Sequence, residues 1–191
     1  ELTEKQMLGA VNFGHDKMQD ISYPYETWTL CKPKVTSSKG VVVAQEIEAA
    51  SIGARIIESG GNAIDGAIAT AFALSVTEPW MSGLGGGGFM MLYLANENRV
   101  RVIDFGMISP KMTDLADYPL SGDIGADLFG WPAVVGDRNL HGAKSVAVPG
   151  SVAGYGLAVE QFAKKSWSEL IAPALDLAKR GHRKTWWTTL N

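Results

Sequence analysis

Cysteine is nearly absent: Cys31 is the single one in 191 residues. It has no partner for an internal disulfide and cannot alone form a thiolate metal site, so the redox compartment stays open. Positive charge is not in excess either. Lys and Arg number 17 against 20 Asp and Glu, for a formal net charge of −3. That leaves no basic footprint for tracking a phosphate backbone, and no nucleic acid partner is expected. No apolar run reaches the roughly 18 residues of a spanning helix. The longest, residues 63–76, is interrupted by Asp65 and Gly66 and reads as a buried helix of a soluble chain with no membrane span. A basic segment followed by an apolar one, the mark of a signal peptide, is missing from the start. The chain begins at Glu1, which reads as a processed or trimmed product and leaves location undetermined. Repeats and low-complexity blocks are also missing. What remains, 46% apolar and 19% charged with 22 glycines, is the make-up of a folded domain with one sizeable core.

Residues 1–39 mix polar residues with Tyr23, Tyr25 and Trp28 and show no sustained period. They read as an irregular or partly helical arm lying over something else. The texture changes at Gly40. Val41 to Ala44 is a β-branched run read as a buried strand, and Glu46 to Ser59 places Ile47, Ala50, Ala54 and Ile57 at helical spacing. Gly60-Gly61-Asn62 reads as a stop and a restart: a left-handed glycine, then an Asn cap answered by Asp65 three residues on. The second helix ends near Glu78, before Pro79, and is apolar almost all round, which calls for a broad partner surface such as a sheet.

Phe89 to Ala95 reads as a fully buried strand. Asn96-Glu97-Asn98 is a turn, and Arg99 to Phe105 alternates with period two, so the pair is expected to be an antiparallel hairpin. Residues 107–142 read as loops with short helical pieces. Lys144 to Gly150 reads as a strand entering a turn, followed by helices at about 151–164 and 168–179, the second ended by Gly181. The fold class is α+β.

The chemistry must be weighed motif by motif. Gly83-x-Gly85-x-x-Gly88 fits a dinucleotide fingerprint in letters only. The fingerprint runs strand, glycine turn, helix, whereas here the order is helix, glycines, strand, so close approach of two backbones is the better reading. His15, His141 and His182 lie far apart without a second ligand at helical spacing, and no metal is expected. Met81-Ser82-Gly83 lacks the first glycine of a nucleophile elbow. Ser151, after Pro149-Gly150, reads as a helix N-cap before a nucleophile. Cys31 beside Lys32 could have a lowered pKa, yet a lone packed or surface cysteine is the simpler reading. Glu46 and Glu48 fall on different helix faces and cannot share a substrate atom. Asp104 ends an apolar strand, where it is either a turn-forming acid or a pocket wall. Trp186-Trp187 reads as core awaiting a cover.

Four strings occur in register: Gly60-Gly61-Asn62-Ala63-Ile64-Asp65; Glu78-Pro79 leading to Ser82 and on through the glycines to Phe89-Met90; Asp104-Phe105 to Ser109-Pro110; and Gly142 to Gly150. In this order the chain resembles the N-terminal part of the large subunit of γ-glutamyltransferases, over about residues 40–181 with a weaker lead-in from Tyr25. The resemblance implies part of a four-layer αββα N-terminal-nucleophile hydrolase sandwich, with residues 1–39 as an arm and residues 40–191 as a partial domain. It implies an enzyme that acts on a small-molecule amide or peptide such as a γ-glutamyl compound. A partner small subunit would carry a catalytic threonine released by self-cleavage, and no cofactor would be needed.

The chain departs from that pattern at one place. The transferases carry an arginine that clamps the α-carboxylate of the glutamyl group, usually followed by glutamate, where this chain has Gly106 and Met107. A glycine cannot form the bidentate pair. The acyl-pocket wall is therefore expected at Asp104, Gly106 and Met107, with altered acyl preference, similar to the cephalosporin acylase branch, which also lacks the arginine. No catalytic residue is expected in this chain. Thr188-Thr189 looks like a processing pair, but only Leu190 and Asn191 follow it, so the chain alone is expected to be silent. A non-catalytic scaffold built on the same fold is the competing reading.

Overall fold

A computed structural model describes residues 10–12, 19–22, 31–125, 129–184 and 188–189. Tyr23, Tyr25, Trp28, His15 and the Trp186-Trp187 pair lie outside them. Among the described residues, eight short strands pair two by two, and four α-helices carry most of the core. The fold is α+β. The strands are β1 (Ala10–Asn12), β2 (Gln19–Ser22), β3 (Cys31–Lys34) and β4 (Val41–Val43), then β5 (Phe89–Leu94), β6 (Arg99–Asp104), β7 (Leu120–Ile124) and β8 (Pro132–Val134). All four pairs, β1 with β4, β2 with β3, β5 with β6 and β7 with β8, are antiparallel. The described parts of the arm are thus three short strands followed by an irregular stretch at residues 35–39, and none of them is helical. Within residues 107–142, the β7–β8 hairpin was not legible, because Gly122 and Asp123 interrupt its alternation.

Helix α1 (Ile47–Glu58) starts at Glu46, whose carboxylate accepts from the amides of Glu48 (2.8 Å) and Ala49 (3.3 Å). Helix α2 (Ala63–Thr77) follows a left-handed Gly60 (φ 96°). The two helices touch through glycine: a Cβ on Gly53 would overlap the Thr70 hydroxyl and lie 2.7 Å from the Gly66 carbonyl oxygen. The cover over α2 is mostly helical. Helix α1, α3 (Ser151–Phe162), α4 (Trp167–Arg180) and the inner face of the β5–β6 hairpin surround it. Ile52, Ile68, Phe72, Leu92, Ile103, Leu170 and Leu177 form the centre of that core. Each such side chain contributes roughly 1.5–3 kcal/mol by leaving water.

The Asn62–Asp65 string is a structural node. Its capping box is complete: the Asn62 side chain accepts from the amides of Ile64 and Asp65, and the Asn62 amide donates to Asp65 at 2.7 Å. The fully buried Asp65 also accepts from the amides of Lys164 (3.1 Å) and Lys165 (3.1 Å), while the Asn62 amide group donates to the Phe162 carbonyl at 2.7 Å. One carboxylate therefore ties the start of α2 to the turn between α3 and α4.

Three expectations need correction. Strand β5 is not fully buried: Leu92 is inside, but Phe89, Met91 and Tyr93 point outward with Val100 and Val102 of β6. The strand covers helices with one face only. β4 buries only Val42, leaving Val41 and Val43 exposed, because β1 lies beside it rather than over it. Lys144 to Gly150 is not a strand. A short 3-10 turn occupies Ala143–Ser145, and a single bridge joins Val148 to Ile108.

Candidate functional site

The glycine-rich segment, the end of β6 and the start of α3 meet at one place. Gly88 and Phe105 exchange both backbone hydrogen bonds (3.3 and 3.0 Å) and so extend the hairpin by one pair. The neighbouring pair, Phe89 and Asp104, is then of the non-hydrogen-bonded kind, with side chains close together on the outer face. Alternation sends Phe105 inward and Asp104 outward. Asp104 accepts from the Gly106 amide at 3.0 Å, the turn-forming arrangement. Met107 is 57% exposed, and an added Cβ on Gly106 would meet only the Asp104 carboxylate, at 3.4 Å. Asp104 and Met107 are therefore exposed, with the half-buried Gly106 between them.

Backbone contacts enforce this arrangement. The Gly86 carbonyl accepts from the amides of Gly150 (2.9 Å) and Ser151 (3.1 Å), which joins the glycine loop to α3. A Cβ on Gly87 would lie 2.7 Å from the Met107 nitrogen and the Phe105 oxygen, and one on Gly150 would overlap the Phe105 carbonyl. Close backbone approach, rather than nucleotide binding, accounts for these glycines.

On the helix side a cavity of about 630 Å³ is lined in part by Trp80, Met81, Ser82, Gly86, Ser151 and Tyr155. None of Asp104, Gly106 or Met107 lines it, so the structure separates this space from the expected acyl wall. Ser151 does not cap α3. Gly150 takes the N-cap position and Ser151 is the first helical residue, buried, with its amide already held by the Gly86 carbonyl. Burial pushes the Tyr155 phenol up, partly offset by the Ser151 side chain. The sequence reading missed the Ser151–Tyr155 pair; its signal was the four-residue spacing on one helix face.

Two buried carboxyls come together elsewhere. Glu46 and Glu78 are 6% and 3% exposed. Burial first, and the Glu46 charge second, push the Glu78 carboxyl above its ordinary range. Glu48, by contrast, pairs with Arg180 of α4 at 2.6 Å. His141 is exposed, and the buried Nε2 of His182 has no hydrogen-bond partner among the described residues. No group of three His, Cys, Asp or Glu suited to a metal occurs among the described residues, and no helix of the described residues is long and apolar enough to cross a membrane.

Residues 49–188 match the family model described as Gamma-glutamyltranspeptidase. The chain is 38% identical over 148 residues to the glutathione hydrolase proenzyme of Pseudomonas aeruginosa, covering 78% of this chain and 25% of that protein. It is 39% identical over 155 residues to the Acylase ACY 1 proenzyme of a Pseudomonas species (strain V22), covering 81% and 27%. Among solved structures, gamma-glutamyltranspeptidase from Pseudomonas nitroreducens complexed with L-DON superposes with a TM-score of 0.67 at 35% identity, covering 81% of this chain and 43% of that one. The chain spans about a quarter of the length of the curated relatives it matches.

Proposed function

This chain belongs to the gamma-glutamyltranspeptidase family, and from that premise we propose that it is a large-subunit segment of a self-processing acyltransferase or amide hydrolase. The observation that carries the reading is the meeting of three resemblance-bearing strings, residues 83–88, 104–107 and 149–151, at one corner of the fold. Residues 40–191 are the partial domain and residues 1–39 its arm.

In this reading the nucleophile is a threonine at the amino terminus of a partner small subunit. Its free α-amine takes the hydroxyl proton, the alkoxide attacks the amide carbonyl, and backbone N–H groups hold the tetrahedral oxyanion. The α-ammonium returns that proton to the leaving nitrogen, which departs as the free amine as the carbonyl re-forms into an ester on the threonine. Water or an acceptor amine then attacks that ester and releases the acyl group. No metal or organic cofactor takes part. This chain contributes a helical layer, a hairpin and the acyl-pocket wall at Asp104, Gly106 and Met107.

The substrate is a small-molecule amide or peptide. Glutathione-type γ-glutamyl donors fit the family, but Gly106 offers no cation for an α-carboxylate, and Asp104 beside it would repel one. We infer an altered acyl preference towards donors without that carboxylate, such as glutaryl amides; the likeness to Acylase ACY 1 supports it. The test is to co-produce this chain with its threonine-bearing chain and compare turnover of a γ-glutamyl anilide with that of a glutaryl anilide. Preference for the glutaryl donor is expected, with this chain alone inert. Turnover of neither substrate by the assembled protein, or of either by this chain alone, would refute the proposal.

A further inference from the structure

Phe105 stands between the outward-facing Asp104 and the Gly106 turn, and its ring points to the opposite side of the sheet. It occupies a notch on α3. A Cβ on Gly154 would lie 2.6 Å from the Phe105 Cβ and would collide with the ring at Cγ and Cδ1. Gly154 is buried in a helix interior, a place that disfavours glycine on its own account. The contact explains the residue. Beyond it, Phe105 meets the Tyr155 ring edge-on at 5.7 Å, and Tyr155 meets Phe72 at 5.4 Å in the core. The flanking backbone is held as tightly: Gly87 closes on the Phe105 oxygen and the Met107 nitrogen, and Gly150 closes on the Phe105 carbonyl from the other segment.

We propose that Phe105 is a positioning residue of the 104–107 site, its ring seated in the notch left by Gly154, so that the aim of Asp104 and Gly106 is set from the far side of the sheet. The inference rests on the reading of residues 104–107 as an acyl-pocket wall. Phe105 itself faces away from that wall and acts through the backbone. A misplacement on the ångström scale is enough to lose much of a bound geometry.

The test uses the assembled enzyme and four variants. Gly154→Ala and Phe105→Leu each raise KM for the acyl donor about tenfold with kcat within about twofold, the signature of lost ground-state positioning. Gly53→Ala, which crowds α1 against α2 instead, lowers the thermal midpoint and leaves KM in place. Asp104→Asn reports on the wall directly. If Asp104→Asn moves KM while Gly154→Ala and Phe105→Leu do not, the positioning role is overturned and the wall stands. If Asp104→Asn leaves KM unmoved, the wall reading fails and takes the inference with it. An equal KM change in Gly53→Ala reduces the effect to lost stability and also overturns it. Should Gly154→Ala not fold, Phe105→Leu decides alone.

Discussion

Replacing Asp65 with alanine attacks the fold at a buried carboxylate that several backbone amides share. The side chain is fully buried and accepts from three backbone amides, one in its own capping box and two from the turn a hundred residues later. Losing the cap costs about 1 kcal/mol. Each of the two distant amides loses a hydrogen bond to a charged group, worth about 1.5 kcal/mol at the lower end of its range, since water can reach part of that turn. The expected total is about 4 kcal/mol. In a chain of 191 residues that lowers the thermal midpoint by roughly 8–16 °C. Asp65→Asn keeps the shape and one acceptor but turns an N–H group towards donors, so it falls between the two. Circular-dichroism melts of the parent and both variants give the midpoints, and hydrogen exchange should show the Lys164 and Lys165 amides losing protection first. A destabilisation by Asp65→Ala below about 1 kcal/mol, within the range of a simple cap, would refute the assignment of Asp65 as a tie between distant segments.

Glu78→Gln addresses the buried carboxyl pair. Because the folded pKa is raised, the native state binds the proton more tightly, and the parent loses stability as pH rises above the ordinary glutamate value of 4.5. The variant is expected to match the parent at lower pH and to be increasingly more stable above it, as thermal melts across pH would record. Gly106→Arg has room, with only the Asp104 carboxylate near its Cβ at 3.4 Å. It should shift preference towards γ-glutamyl donors by roughly tenfold to a hundredfold in kcat/KM, the equivalent of one charged bidentate contact; an unchanged ratio speaks against the 104–107 wall. Ser166→Ala removes the α4 capping box, in which Ser166 and Glu169 bond reciprocally. A loss of about 1 kcal/mol in denaturant titration is expected.

Local features were legible where a residue answers a neighbour. The Asn62–Asp65 box, the hairpin turn at residues 96–98 and the glycine stops were all readable, since each is decided within four residues. The second half of each feature was not. Nothing near Asp65 announces that residues 164 and 165 will bond to it, and nothing near Glu78 announces Glu46. Ser151 shows the limit well: its type and position promised a cap, but Gly86, remote in sequence, had already taken the amide. The outward aim of Phe89, Met91 and Tyr93 was misread because an apolar run states that a strand will be covered on both sides, and the described residues cover one. The corner that joins residues 83–88, 104–107 and 149–151 was visible only as three strings; their contact depends on glycines whose partners lie in other segments.

The outer side of the β5–β6 hairpin has one further consequence. Five apolar side chains, Phe89, Met91, Tyr93, Val100 and Val102, stand more than half exposed on it, and among the described residues the ribbon has two strands and no third beside either border. Handled by itself, such a surface binds hydrophobic dyes, clings to phenyl resins and clumps on warming, and it does so more strongly as ammonium sulfate is added.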